Sequence, residues 1–431
     1  MATLPINSIR RDNEQAVTDA QAGTSQQTSS QNRPISIQNE ITNAWNDYTR
    51  HLNDYFYNPD TEAVEIVLSV IASHFHKDCD PIWLFINGPS GGDKSSICIN
   101  STLDIPNVHM QGIITAKTFL SGYTGTANAS LLHKIGSGIL AFKDFTTFLS
   151  QSKEEQAQIQ SQLREIYDGS FVKETGKGLP LKWKGKITVI AAVTPALERE
   201  WGTRRDLGER FIQIRISRKK GIEQAESAQR QRGLETFISD RMKQLALKFF
   251  QLNPPITNPP PKLSINQMTR VAAMAELVAH ARGHVPVNPL TGAITGLAEI
   301  ENSGRMAKCI AGIISNHAAL FRRTAIDESD MEIGKRVALN SIPSNRALII
   351  DIIPLDGFLT TSQLVAQVGL PKSTITFLTD HLESLGVLRI QRNEQIDNNY
   401  ALTGLAKGLW NKAFSPLAET TVNGTDRGLA H

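Results

Sequence analysis

One stretch constrains this chain more than any other: the apolar run Ile82-Trp83-Leu84-Phe85-Ile86, its stop at Asn87-Gly88, and the loop Gly88-Pro-Ser-Gly-Gly-Asp-Lys-Ser95. A short run without a polar position, cut off by glycine, reads as a parallel strand buried on both faces. A glycine-rich turn leading into a helix gathers backbone N–H groups around one point, to which the helix dipole adds its positive end. In such a loop Lys94 reaches the β- and γ-phosphates of a nucleotide and Ser95 ligates Mg²⁺. The candidate cofactors are ATP and Mg²⁺. The candidate contacts are Gly88, Pro89, Ser90, Gly91, Gly92, Asp93, Lys94, Ser95 and Ser96. One position departs from the pattern: Asp93 stands where glycine is expected before the lysine. It adds a side chain to a crowded turn and a negative charge beside a polyanion, or beside Lys94. The same residues also describe an ordinary glycine-rich turn with a chance Lys-Ser pair.

Further strand-like runs follow at Val108-His109-Met110, Gly138–Phe142, Ile187–Val193 and Phe211–Ile216, with helix-like stretches between them. This alternation predicts an α/β domain with a mainly parallel sheet over 81–252. The second run leads into Lys143-Asp144-Phe145. An acid after a buried strand can hold the Mg²⁺ shell or orient the attacking water. Lys143 takes the place of a second acid, so the role left to Asp144 stays open. The candidate metal ligands are Ser95 and Asp144. Residues 171–183 read as a hairpin with a glycine-rich tip, made basic by Lys173, Lys177, Lys182, Lys184 and Lys186. Lysines on such a tip suit phosphate contact without base reading.

Around this core the pattern divides the chain. Residues 1–36 are Gln, Ser, Thr and Asn rich and predict a disordered tail. Residues 37–80 carry helical spacing (Ile41, Trp45, Tyr48, Leu52) and predict a helical lead-in. A single long helix is predicted over 222–251. Pro254–Pro261 reads as a linker, 262–340 as helical, and 405–431 as a flexible tail. The formal charge is only +3, so nucleic-acid binding must come from local basic patches. Cys79, Cys98 and Cys309 are scattered, which argues against a disulfide framework and a zinc site and for a reducing, cytoplasmic setting. No apolar run approaches a membrane span, and no membrane partner is expected.

Taken in order, these motifs resemble the MCM-like AAA+ ATPases, including helicase-like proteins of phages and mobile elements. In that family a strand with its acid is followed by a helix, a basic hairpin, a strand ending in Asn/Thr-Pro, and an arginine before phenylalanine. The matching positions are Asp144, 171–183, Thr194-Pro195 and Arg210-Phe211. Gly304-Arg305-Met-Ala-Lys is similar to the family's sensor-2 helix, and Ile326–Asp330 with Arg336–Asn340 to the end of its helical lid. The resemblance covers about 80–340. It implies an AAA+ P-loop core with a helical lid, Thr194 as a sensor, Arg210 as an arginine finger and Arg305 as a second γ-phosphate sensor. Arg204 and Arg205 could share the work of Arg210. A finger acting between subunits implies a ring, by analogy a hexamer, with DNA as partner.

Residues 341–404 read as a winged helix-turn-helix. Asn345–Ile353 is an apolar-periodic helix. Thr361–Val368 is a short helix stopped by Gly369. Lys372–Leu385 is the next, with Ile375, Leu378, Leu382 and Leu385 facing a core. Lys372, Ser373 and Thr374 fall at its groove-facing end, with Arg389 on a wing strand. Winged helices also serve protein contacts. Three functions therefore compete: an ATP-driven DNA motor, a hydrolysis-poor nucleotide switch on DNA, and a transcriptional regulator led by this last unit.

Overall fold

The computed structural model describes residues 37–115, 117–120, 130–174, 180–197, 210–217, 221–255, 259–393 and 397–415. The predicted tail 1–36, Lys177, Arg204 and Arg205 lie outside them.

Five strands form one parallel sheet: β1 (Trp83–Asn87), β2 (Val108–Gln111), β3 (Gly138–Phe142), β6 (Ile187–Val193) and β7 (Phe211–Arg215), in the order β2-β3-β6-β1-β7. Two further strands, β4 (Ser170–Lys173) and β5 (Leu181–Lys184), pair antiparallel as a separate hairpin. Every residue of β1, β3 and β6 is buried, as their unbroken apolar runs require. Successive side chains take opposite faces of a pleated strand. Leu84, Ile86, Ile139, Ala141, Ile190 and Ala192 thus join one core. Trp83, Phe85, Leu140, Phe142, Val189 and Ala191 join the other.

The first core is covered by α1 (Ile37–Tyr55), α2 (Thr61–His74) and helices from later in the chain. α2 is apolar nearly all round, as a central helix must be. Asp60 caps its first turn by accepting from Ala63 N, and at its carboxyl end Lys186 Nζ donates to Ser73 O and His76 O, at 2.9 Å each. The second core lies under α3 (Leu131–Ile135) and α4 (Lys153–Tyr167), the latter beginning with a Ser152–Glu155 capping box. The chain therefore has an α/β fold with helices on both sheet faces.

The helical region after β7 departs from its pattern at two points. Residues 222–251 form two helices, α5 (Ile222–Gln231) and α6 (Glu235–Leu252), because Gly233 takes φ +81° and stops the first. Residues 265–340 hold α7 (Ile265–Ala281), α8 (Gly304–Leu320) and α9 (Glu328–Asn340), but 282–303 is not helical. Pro286, Pro289, Gly292 and Gly296 break that segment, which makes two isolated antiparallel bridges, His284 to Glu299 and Val287 to Ile294. α9 seals the edge of the sheet. Ser341 Oγ accepts from Gln213 N at 3.1 Å and Asn340 Oδ1 from Arg215 N at 2.6 Å. Two N–H groups of an edge strand are thereby removed from solvent.

The last unit contains α10 (Ser344–Ile352), β8 (Leu359–Thr360), α11 (Thr361–Val368), α12 (Lys372–Ser384), β9 (Leu388–Gln391) and β10 (Asn399–Leu402), with its sheet ordered β8-β10-β9. Gly369 ends α11 at φ +73°. Ile375, Leu378, Leu382 and Leu385 are buried, as their spacing predicts. The flexible tail expected from 405 is corrected for its first part. α13 (Gly404–Phe414) is a helix capped by Thr403 with Ala406 and Ala413 buried, and Arg270 Nε bonds Ala413 O at 3.3 Å. It is amphipathic rather than polar, with Leu409, Trp410 and Phe414 packed against the first core.

A buried ionic cluster ties α2, α8 and α9 together. His317 Nδ1 lies 2.7 Å from Asp330 Oδ1 and its Nε2 lies 3.2 Å from Glu65 Oε2, while Arg323 also binds Asp330. Burial by itself favours neutral imidazole. The bonds to Asp330 and Glu65 outweigh it, so the pKa of His317 is raised. A raised folded-state pKa gives stability that is complete below the unfolded value and fades as pH rises through the folded one. His74 and His381 act oppositely, since burial pushes both down to about 4. Removing His317 alone isolates its share. His317→Gln should lose about 3 kcal/mol of unfolding free energy in denaturant titrations at pH 6, and the gap to wild type should narrow steadily towards pH 9.

Candidate functional site

Because the five strands are parallel, their carboxyl ends share one edge of the sheet, where open α/β sheets bind ligands. The loop 88–95 leaves β1 at this edge. Gly88 N donates to Val193 O at 3.2 Å, fixing the loop's start against β6. A Cβ on Gly88 would meet Ile216 O at 3.0 Å, and one on Gly92 would meet Pro89 O at 3.0 Å. Close backbone approach favours glycine at both positions. Gly91 is required by its φ of +71°.

Asp93 has φ +60°, inside the left-handed region that favours glycine. Aspartate is among the few side chains that tolerate it. Here its Oδ2 accepts from Gln224 Nε2 of α5 at 3.1 Å, which turns the carboxylate towards α5. The helix after the loop is shorter than the strand-loop-helix pattern implies. Residues 95–99 wind as a π turn and 100–102 as a 3₁₀ turn, before Asp104-Ile105-Pro106 ends the run.

The remaining residues converge on the loop. Lys94 is buried, and its Nζ folds back to Pro89 O at 2.8 Å. Burial lowers its pKa, and the nearby carboxylate of Asp144 opposes that shift. Ser95 Oγ donates to Lys143 O at 2.8 Å, which brings the loop hydroxyl to the residue before Asp144. Asp144 is exposed, and its Oδ1 caps the following 3₁₀ turn by accepting from Thr146 N at 2.9 Å. Thr146 Oγ1 in turn accepts from Thr194 N at 2.9 Å at the end of β6. Asp144 and Thr194 are thereby joined through Thr146, a residue the sequence pattern did not single out. Ser95 and Asp144 suit a Mg²⁺ ion that takes its other oxygens from phosphate and water. Among the described residues, no three His, Cys, Asp or Glu side chains gather into a metal site made by protein alone.

Arg210 and Arg305 lie elsewhere. Arg210 precedes Phe211, the partner of Trp83 at the start of β1. Both guanidinium groups stand over the ring of Tyr167, at 5.6 Å for Arg210 and 5.5 Å for Arg305. The Tyr167 ring also packs on Trp83, with centroids 5.1 Å apart. The two arginines therefore occupy the amino edge of the sheet, one strand length of roughly 13 Å from the loop. Within one chain they are not part of the Lys94 site. Burial lowers the pKa of Arg210, Arg305 and Arg164 repel it further, and Asp168 opposes them with a long 3.9 Å ion pair.

The basic hairpin sorts its lysines. Lys173 Nζ donates to Leu120 O at 2.8 Å, and Lys186 is the cap of α2 described above. Lys182 and Lys184 are exposed on one face of β5, while Trp183 between them turns inward and donates to Gly136 O. In the last unit, Ser373 and Arg389 are exposed, Thr374 is half-buried, and Lys372 lies 3.8 Å from Asp397. Arg392 is bound to Asp380 and Glu383. Residues 341–404 hold four Lys or Arg against six Asp or Glu, a formal charge of −2. No helix of the described residues is long and apolar enough to cross a membrane. No family model and no curated protein matches the chain.

The left-handed backbone at residue 93 has a measurable consequence. Asp93→Gly should unfold within about 0.5 kcal/mol of wild type, whereas Asp93→Val should lose roughly 2 kcal/mol, because a β-branched residue is disfavoured at φ +60°. Equal losses for Gly and Val in denaturant titrations would contradict that backbone geometry.

Proposed function

We propose that this chain is an AAA+-type P-loop NTPase that binds Mg·ATP at 88–95 and acts on nucleic acid as a ring of subunits. The observation that carries the reading is the division of the site. Lys94, Ser95, Asp144 and Thr194 converge at one edge of the sheet, while Arg210 and Arg305 gather at the other. An arginine pair that cannot reach its own loop suits the nucleotide of a neighbouring subunit. There it stabilises charge on the γ-phosphate during transfer to water.

In the bound state Lys94 leaves Pro89 O for the phosphates. Ser95 and Asp144 would hold a Mg²⁺ ion, which would neutralise phosphate charge. Thr194, fixed through Thr146, faces the reacting end. In this reading 262–340 is the lid and 341–404 a winged helix, for which the helix order and the three-stranded sheet give support. The net negative charge of that last unit weighs against its leading DNA recognition, and so against a transcriptional regulator. Lys182 and Lys184 are the stronger candidates for the nucleic-acid backbone.

A second reading, a nucleotide-binding protein with little turnover, is favoured by two features of the loop. Lys94 is held by its own loop carbonyl, and Asp93 carries a charge beside the phosphates. Phosphate release with and without single-stranded DNA separates the two.

Two outcomes test the proposal. Lys94→Ala should weaken ATP binding about 100-fold in calorimetry without lowering the melting temperature, since the ammonium makes charge-assisted contacts and no apolar packing. Unchanged affinity would remove the nucleotide assignment. The double variant Lys182→Ala, Lys184→Ala should flatten the plot of log DNA affinity against log salt by about 1.4–1.8, at 0.7–0.9 per phosphate contact. Lys173→Ala should leave that slope nearly unchanged. The reverse pattern would place the contact elsewhere on the hairpin.

A further inference from the structure

We propose that Tyr167 is the positioning residue for the arginine pair, its ring setting Arg210 and Arg305 at the spacing a neighbour's phosphate requires. The inference rests on the reading above and deepens it. Three observations place Tyr167 in this role. It is the last residue of α4, and its ring meets Trp83 in an edge-type contact at 5.1 Å; Trp83 is itself fully buried and bonded through Nε1 to Ile187 O at 2.8 Å. The ring is thus anchored to the start of the central strand. Both guanidinium carbons then lie within 5.6 Å of its centroid, although they come from segments far apart in the chain. Finally, the two cations repel one another, with Arg164 adding to that repulsion. Asp168 sits 3.9 Å from Arg210 and is 63% exposed, so it offers only a weak, screened counter-charge. The aromatic face adds an attraction common to both cations where water is partly excluded.

The ring suits this task better than a carboxylate. It attracts the guanidinium groups without neutralising their charge. Burial raises the pKa of the Tyr167 hydroxyl, so the ring remains neutral.

The test uses full-length subunits mixed in equal amounts, with steady-state ATP hydrolysis and binding of a fluorescent ATP analogue as readouts. Tyr167→Leu alone should lose about tenfold in turnover with analogue binding retained. Its own loop remains intact, so mixing with Lys94→Ala subunits, which carry the native arginine pair, should restore activity, as it should for Arg210→Ala. Tyr167→Phe, which keeps the ring, should restore turnover to within about twofold of wild type. Wild-type turnover in Tyr167→Leu beside an inactive Arg210→Ala overturns the inference and leaves the reading intact. Loss of turnover that Lys94→Ala subunits fail to restore, while they do restore Arg210→Ala, also overturns it and marks Tyr167 as structural support. Wild-type turnover in both Arg210→Ala and Tyr167→Leu sinks the shared-site reading, and the inference with it.

Discussion

The molecule depends on burying β1 on both faces and along both edges. β6 and β7 pair with it residue for residue, from Trp83 with Val189 and Phe211 to Asn87 with Val193 and Arg215. Phe85 stacks on Phe211 at 3.8 Å, and Leu84 and Ile86 enter the opposite core. Backbone groups and side chains are therefore satisfied together, and the strand has no freedom to slip by one residue without turning each face inside out. That register fixes Gly88 against Val193 and Ile216, and with it the start of the loop. It also fixes Trp83 at the other end, on which Tyr167 and the arginine pair are built. Two candidate regions share one rigid element.

The loop itself balances opposing terms. Close approach favours glycine at 88 and 92, and left-handed backbone demands it at 91. The same demand falls on 93 and is met by aspartate, which is less strained there than a β-branched residue and gains a bond from Gln224. The cost is a carboxylate next to the lysine of the site. The short π and 3₁₀ winding that follows leaves less helix dipole behind the loop than a full α-helix gives. On the proposed reading, nucleotide binding there leans more on Lys94 and Mg²⁺.

Much of this was legible in the chain. Unbroken apolar runs ended by Gly88, Lys143 and Thr194 are buried strands because only a doubly covered parallel sheet has no polar face. The capped, periodic helices of 341–385 fall where their Thr, Gly and Pro residues put them. What was not legible depends on distance in space. The Ser95–Lys143, Thr146–Thr194 and Asp93–Gln224 bonds join segments 48 to 131 residues apart. The shared ring of Tyr167 under Arg210 and Arg305 has no local signature either. Lys173 carried the right charge in a basic hairpin, yet a carbonyl 53 residues away holds it. The single helix expected over 222–251 failed on Gly233, and the first part of the tail expected from 405 is helical because Leu409, Trp410 and Phe414 lie at helical spacing.

In the proposed ring, one subunit supplies the phosphate loop and its neighbour the arginine pair. The most direct measurement is a structure of the chain assembled with Mg²⁺ and a non-hydrolysable ATP analogue. The account predicts the triphosphate on loop 88–95, with Lys94 of one subunit and Arg210 and Arg305 of the next on either side of its γ-phosphate. A triphosphate bound away from the loop, or one held at the loop with the arginine pair of every subunit facing solvent, would contradict it.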